Sequence, residues 1–449
     1  MRVGFHTLGC KTNAYETQAI REQMERAGWE ERPFSQPCDV YVINTCAVTK
    51  EASRKSRQMI GRCRRQNPDA LVAVTGCYAQ EEGERLLFET GADILVGNSE
   101  KNQILPLILR CLEERGNGRA ESKQAVVKDL MHCREFEEQN ISGQKGHTRV
   151  YVKIQDGCDR FCSYCLIPYL RGRSRSRELQ EILREVEALA GKGCSEVVLT
   201  GIDISSYDSD LSDLIRRIGD VPGIMRIRLG SLESGIIQRG FLEKLFQVPA
   251  FCPQFHLSLQ SGSDGVLARM TRHYKTAEYE EAVNMIREFY PNAGITTDLI
   301  AGFPGETEEE FRETLEFIQK IRFSRIHAFP FSVREGTRAE HMAGQLPKSV
   351  KEERTRILIT AGAGLQQAYE SRLIGTECEI LAEECIAQKD DRGREELFAA
   401  GYTPEYVRIL APAGNSRSEA ETCIGRLLRV KPSGFGKERI LLASSLDLG

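Results

Sequence analysis

Apolar residues recur along the chain with two periods. Short strand-like runs at 2–7, 40–44, 71–75 and 94–97 alternate with segments of helical spacing at about 14–27, 50–66, 80–89 and 101–114. Alternation at these lengths predicts a parallel sheet with helices on its faces, a flavodoxin-like α/β domain over residues 1–116. Residues 117–147 are polar, rich in Glu, Gln, Lys and Gly, and read as a linker with one short strand near Val126. A second alternating series starts at Arg149, with strands at 149–155, 196–200, 225–229, 254–259, 294–300 and 325–330. Helices fall between them at about 178–192, 211–218, 236–247, 277–290 and 308–321, and a longer one at 349–373 closes the series. Six β/α units predict a partial barrel over 148–374, open where the full eight would close. From 375 to 445 short β-type runs (377–381, 397–400, 407–410, 423–430, 439–443) are separated by Gly, Asn, Pro and Ser. They predict a small all-β module.

Composition adds compartment and chemistry. With 449 residues, 41% hydrophobic and 28% charged, the chain suits a soluble protein of two or three domains. No run approaches the roughly 18 apolar residues of a membrane helix. The start, MRVGFHTLGC, reads as a strand and lacks the apolar core and cleavage site of a signal peptide, so a cytoplasmic location is expected. Fifteen cysteines in such a chain imply reduced thiols, some of them packing groups and some metal ligands. The net charge of −4 announces no nucleic-acid partner. Two basic runs could still contact phosphates: Arg54, Lys55, Arg57, Arg62, Arg64 and Arg65, and Arg171, Arg173, Arg175 and Arg177. Either could equally be a solvated face.

The strongest chemical signal is Cys158-Asp-Arg-Phe-Cys162-Ser-Tyr-Cys165, directly after the strand at 149–155. Three thiolates on one loop can hold three irons of a [4Fe–4S] cluster and leave the fourth open for a substrate. A structural zinc site is the competing reading, with His147 the only local candidate for a fourth ligand. Cys-x-x-x-Cys-x-x-Cys after the first barrel strand resembles the radical S-adenosylmethionine superfamily. The resemblance implies that the cofactor chelates the open iron and is cleaved on reduction to a 5′-deoxyadenosyl radical. Three further stretches look like the superfamily's cofactor contacts: Leu199-Thr200-Gly201, Ser258 to Gly262, and Asp298 to Glu306. They imply roles for Gly201, Glu233, Gln260, Asp298, Gly302 and Pro304. Two positions depart from the pattern: Asp203 stands where relatives often carry Asn or His, and no proline follows Glu233.

Cys10, Cys46 and Cys77 each stand two or three residues beyond an expected strand end. All three should project from the carboxyl edge of one parallel sheet, where such sheets bind ligands. They can hold a second cluster with an open iron; the other nine cysteines suit packing better. The order of parts is similar to the methylthiotransferase family over nearly the whole chain, and the last module looks like a TRAM domain, a β-barrel used for RNA contact. Its Arg426, Arg429, Lys431, Lys437 and Arg439 fit phosphates. The Cys10-Lys11-Thr12-Asn13 frame and the Arg171–Arg177 run look most like the threonylcarbamoyladenosine tRNA methylthiotransferases, the arginines suiting a carboxylate-bearing base. The resemblance implies S-adenosylmethionine and two [4Fe–4S] clusters as cofactors, and methylthiolation of adenosine 37 in the anticodon loop of tRNA. One cofactor molecule would methylate a sulfur on the Cys10/Cys46/Cys77 cluster, and the other would yield the radical that takes hydrogen from C2 of the adenine. It further implies an electron donor such as flavodoxin or ferredoxin, and a sulfur donor. The alternatives are isopentenyladenosine in tRNA, a ribosomal-protein aspartate, or a non-enzymatic iron–sulfur protein that binds RNA or carries electrons.

Overall fold

Strands β1 (Arg2–Thr7), β2 (Glu30–Glu31), β3 (Val40–Thr45), β4 (Leu71–Gly76), β5 (Ile94–Val96) and β6 (Gln124–Val126) form one parallel sheet. Their order is β2-β1-β3-β4-β5-β6. The computed structural model describes residues 1–117, 123–143, 148–389, 395–414, 416–436 and 439–448. Every residue of β3 and β4 is buried, because helices cover both faces of the sheet. That is why these strands are unbroken apolar runs rather than alternating ones. The strand expected inside a linker is β6, the edge of this sheet. It belongs there because β5 would otherwise present unpaired backbone groups: the Gly97 N–H donates to the Val126 carbonyl, and the Gln124 N–H to Asp93. The helix expected over 80–89 is two, Cys77–Glu82 and Arg85–Thr90, separated at Gly83 with φ +57°.

The second unit begins with β7 (Arg149–Lys153), β8 (Gln155–Asp156) and β9 (Arg175–Ser176), then β10 (Glu196–Thr200), β11 (Arg226–Leu229) and β12 (Ser231–Leu232). It continues through β13 (Gln254–Leu257), β14 (Gly294–Ala301) and β15 (Arg325–Pro330). The barrel strands run parallel in two arcs, β7-β10-β11 and β12-β13-β14-β15, which meet where Gly230 interrupts the third strand. This is the expected open barrel, and helix Lys348–Ser371 packs over its last strands. Helix Lys11–Arg26 packs against β7, so Tyr15 and Ala19 enter the barrel's own core.

The C-terminal unit is a closed five-stranded barrel of β16 (Cys378–Lys389), β17 (Glu395–Tyr402), β18 (Arg408–Pro412), β19 (Leu427–Phe435) and β20 (Leu441–Leu448). The strand expected from 423 begins only at Leu427. The residues before it form a helical turn, Arg417–Glu421, capped reciprocally by Ser416 and Glu419. This unit seals the amino-terminal mouth of the large barrel. Arg226 and Arg228 donate to the carbonyls of Tyr402, Thr403 and Pro404 at 2.6–2.8 Å, and Arg149 lies over the rings of Tyr402 and Tyr406. Among the described residues no helix is long and apolar enough to cross a membrane.

Candidate active site between two cysteine trios

The loop after β8 is fixed by backbone contacts from every side. Gly157 has φ +74°, and a Cβ there would lie 1.9 Å from the Arg173 carbonyl oxygen, so only glycine fits. The Cys158 N–H donates to Gly172 (3.0 Å), the Ser163 N–H to Met270 (3.0 Å), and the Ala339 N–H to Ser163 (2.8 Å). Phe161, at φ +49°, gives its carbonyl to the Arg338 guanidinium. Each sulfur of the loop accepts one hydrogen bond: Cys158 from the Arg160 N–H (3.4 Å), Cys165 from the Ile167 N–H (3.4 Å), and Cys162 from Arg272 Nη1 (3.3 Å). Burial pushes the Cys158 and Cys165 thiols up to about 12, against the pull of those two N–H donors. A metal that displaces the protons relieves this cost, and the donors then face thiolates, so the loop fits an iron–sulfur cluster. Among the described residues no three His, Cys, Asp or Glu side chains converge on a single-ion site, and His147 lies outside them. A Gly157→Ala substitution is expected to displace Cys158 and lower bound iron by about four per chain after anaerobic reconstitution, read by iron assay and visible absorption.

The second trio stands on the carboxyl edge of the first sheet, as expected, at the ends of β1, β3 and β4. Gly9, with φ +109°, lets the β1 loop lie on Cys46: a Cβ there would be 3.3 Å from the Cys46 sulfur. Cys77 opens its helix and accepts from Asn98 Nδ2 at 3.7 Å, while the same amide donates to the Leu170 carbonyl at 2.9 Å. Burial, with the neighbouring Cys77 and Cys10, raises Cys46 to about 11 against the pull of the Val48 backbone. Through Asn98 the Cys77 sulfur is thus tied to the barrel segment that follows Cys165, so the first trio stands against the loop that carries the second. Cys10 is exposed, Cys46 and Cys77 buried, and the barrel trio half-buried.

Between the trios lies a buried ionic seam. Arg171 donates to Asn13 Oδ1 (2.7 Å), Glu16 Oε1 (3.0 Å) and Asp156 Oδ1 (3.0 Å). Lys153 reaches Glu16 (2.8 Å) and Asp156 (2.7 Å), and Lys101 reaches Glu16 (3.3 Å). This corrects the expectation of RNA contact. Arg171, Arg175 and Arg177 are buried where the first domain meets the barrel; Arg177 pairs with Glu185 and with Glu138 (2.9 Å). Arg173 alone is half-exposed, paired with Asp159 (3.1 Å) and lying over Phe161. The Arg54–Arg65 run does lie on a solvated helix, where Arg54 and Lys55 pair with Glu51. Arg429 and Lys431 are exposed on β19, and Lys437 lies outside the described residues.

The expected cofactor contacts divide into two groups. Arg272, which touches Cys162, also pairs with Glu233 (2.5 Å) and donates to the Ser258 carbonyl, tying the rims of β12 and β13 to the cysteine loop. Asp203 instead pairs with Arg160 of that loop (2.9 Å). Gly201 packs against Gln155, where a Cβ would come within 2.9 Å. Gln260, at φ +71°, donates its N–H to the Asp298 carbonyl (2.9 Å). The Asp298 side chain points into the barrel lumen, 3.4 Å from His256. Gly302 and Pro304 sit in the turn beyond β14, where a Cβ on Gly302 would press on Lys351 at 2.6 Å. Sequence reasoning missed Arg272 and Asn98, whose partners are far along the chain.

Residues 152–318 match the Radical SAM superfamily, and residues 2–97 match the family described as Uncharacterized protein family UPF0004. The chain is 39% identical to the threonylcarbamoyladenosine tRNA methylthiotransferase MtaB of Bacillus subtilis, over 96% of this chain and 93% of that one. It is 34% identical to the tRNA-2-methylthio-N(6)-dimethylallyladenosine synthase of Desulfitobacterium hafniense, over 94% and 92%. Its fold is similar to the radical S-adenosylmethionine methyltransferase TsrM of Kitasatospora setae, with TM-score 0.53, 17% identity, and 73% and 74% of the two chains covered. The two cysteine trios therefore stand in an enzyme, and the chain belongs to the radical S-adenosylmethionine methylthiotransferase family.

Proposed function

We propose that this enzyme converts N6-threonylcarbamoyladenosine at position 37 of tRNA to its 2-methylthio derivative, using S-adenosylmethionine and two [4Fe–4S] clusters. The observation that carries the reading is the pairing of two thiol trios, on different domains, across one buried seam, where Asn98 bridges the Cys77 sulfur (3.7 Å) to the Leu170 carbonyl (2.9 Å) just beyond Cys165. Cys158, Cys162 and Cys165 would hold one cluster; Cys10, Cys46 and Cys77 would hold the other. Gly201, Glu233, Gln260, Asp298, Gly302 and Pro304 would line the S-adenosylmethionine site. When bound, these groups supply hydrogen-atom removal from C2 of the adenine and a methylated sulfur to replace it. The protein's own part is positional. Arg272 sets a positive charge on the Cys162 sulfur and fixes Glu233, Asn98 holds Cys77 to the barrel segment, and the seam excludes water. No side chain need carry the C2 proton, because hydrogen leaves as an atom.

The threonylcarbamoyl substrate is supported by relatives of that name at 34–39% identity, against 33–34% for the dimethylallyladenosine synthases. The anticodon loop of tRNA, a flavodoxin or ferredoxin as reductant, a sulfur donor and a cytoplasmic setting complete the reading. Mass spectrometry of tRNA nucleosides from a deletion strain tests it. Loss of 2-methylthio-threonylcarbamoyladenosine, restored by the intact gene, is expected. Loss of the isopentenyl form instead, or an unmethylthiolated ribosomal protein with unchanged tRNA, would overturn it.

A further inference from the structure

The lumen of the open barrel holds a cavity of about 370 Å³, within the range of about 300–1,000 Å³ typical of small-molecule sites. Its lining carries four cations, Lys11, Arg149, Arg228 and Arg325, against one acid, Asp298, with the imidazoles of His256 and His327 beside them. Two of these cations are already committed. Arg228 pairs with Glu196 (2.8 Å) and donates to the Thr403 and Pro404 carbonyls, and Arg149 faces Glu383 (3.3 Å) beneath the Tyr406 ring. Asp298 lies 3.4 Å from the His256 ring, and its charge also acts on Lys11 and His327. Lys11 and Arg325 have no hydrogen-bond or ion-pair partner among the described residues; both line this open-sided cavity, and the carboxylates acting on them are Asp298 for Lys11 and Glu370 for Arg325.

Position adds to charge. Lys11 follows Cys10, so the lumen reaches the first cysteine trio. Tyr406 of the C-terminal unit forms part of the lining, held at φ +73° with its N–H on the Thr403 carbonyl. A second cavity of about 220 Å³ shares Thr296, Arg325 and Tyr406 with the lumen and continues along helix Lys348–Ser371. Arg325 therefore stands where the two join, on the last strand of the unclosed barrel.

We infer that this lumen receives the carboxylate-bearing arm of the modified adenosine, with Arg325 and Lys11 as the groups that recognise its negative charge. The inference rests on the threonylcarbamoyl reading above and gives that substrate its subsite. Two cations without an ion-pair partner on one cavity wall attract an anion, and an apolar isoprenoid arm would strip their water without replacing it, so the same residues select between the two tRNA substrates. The role that the Arg171–Arg177 run was expected to play at a carboxylate passes to these residues, since that run is occupied in the seam.

The test uses reconstituted holoenzyme and two anticodon stem-loop RNAs, one carrying threonylcarbamoyladenosine and the other its neutral methyl ester. The parent enzyme is expected to prefer the acid by roughly tenfold or more in kcat/KM. Arg325→Gln is expected to erase most of that preference through a raised KM for the acid, and Arg325→Lys to restore part of it. Lys11→Gln, measured separately, is expected to lower the same ratio, with iron content and circular dichroism checking the fold of each variant. An unchanged acid-to-ester ratio in both Gln variants overturns the inference while leaving the substrate reading intact. A parent enzyme that modifies only dimethylallyladenosine RNA overturns the substrate reading, and the subsite with it.

Discussion

A Cys46→Ala variant is expected to keep cleaving S-adenosylmethionine under reducing, anaerobic conditions yet to form no methylthio product. Cys158→Ala is expected to stop both. The separation follows from where the thiols sit. Cys46 ends β3 in the first domain, and its neighbours are Cys10 and Cys77; Cys158 follows β8 in the barrel, with Cys162 and Cys165. On the proposed assignment, removing one sulfur from a trio leaves two ligands, too few to retain a cluster. Each variant should therefore bind about four irons where the parent binds about eight. The readouts are 5′-deoxyadenosine and methylthio nucleoside by mass spectrometry, with iron per chain measured alongside. Full product from the Cys46 variant would remove the second trio from the chemistry, whatever the barrel trio does.

Both trios were legible in the sequence for local reasons. The barrel trio spans eight residues on one loop, so its spacing alone carries the information. The first trio is spread over nearly seventy residues, yet each cysteine follows a strand of one parallel sheet, and parallel strands end on one edge. What could not be read is pairing across the chain. Arg171, Arg175 and Arg177 look like a phosphate-binding run until their partners are known, and Arg171 reaches Asn13 and Glu16 more than 150 residues away. Arg272 reaches Cys162 across 110 residues, with no motif to announce it. The elements were legible for the same reason as the trios: strands and helices are local periodicities. The errors fall where tertiary pairing or capping intervened, as when β6 filled the edge beside β5 and when Ser416 capped a turn where a strand was expected.

The Arg171 seam yields a second large effect, on stability. Arg171→Met is expected to cost about 3–5 kcal/mol, because it keeps the side-chain volume but leaves Glu16 and Asp156 buried with less opposing charge. The thermal midpoint should fall by on the order of 10 °C, read by circular dichroism at pH 7.5. Burial alone would raise both carboxyls. The cations Arg171, Lys101 and Lys153 around Glu16, and Lys153, Arg171 and Arg175 around Asp156, outweigh it and hold both well below the usual carboxylate range. A depressed carboxyl pKa stabilises the fold above the unfolded value, near about 4, and that contribution is lost as pH falls through the lower folded value. The gap between parent and variant should thus be full at pH 7.5 and shrink below about pH 4, where protonation relieves the variant's unpaired carboxylates. Combining Arg171→Met with Glu16→Gln should cost less than the two single losses added together, since the partners interact directly. A gap that is absent at pH 7.5, or that does not change with pH, would mean that the seam contributes packing and no electrostatic stabilisation.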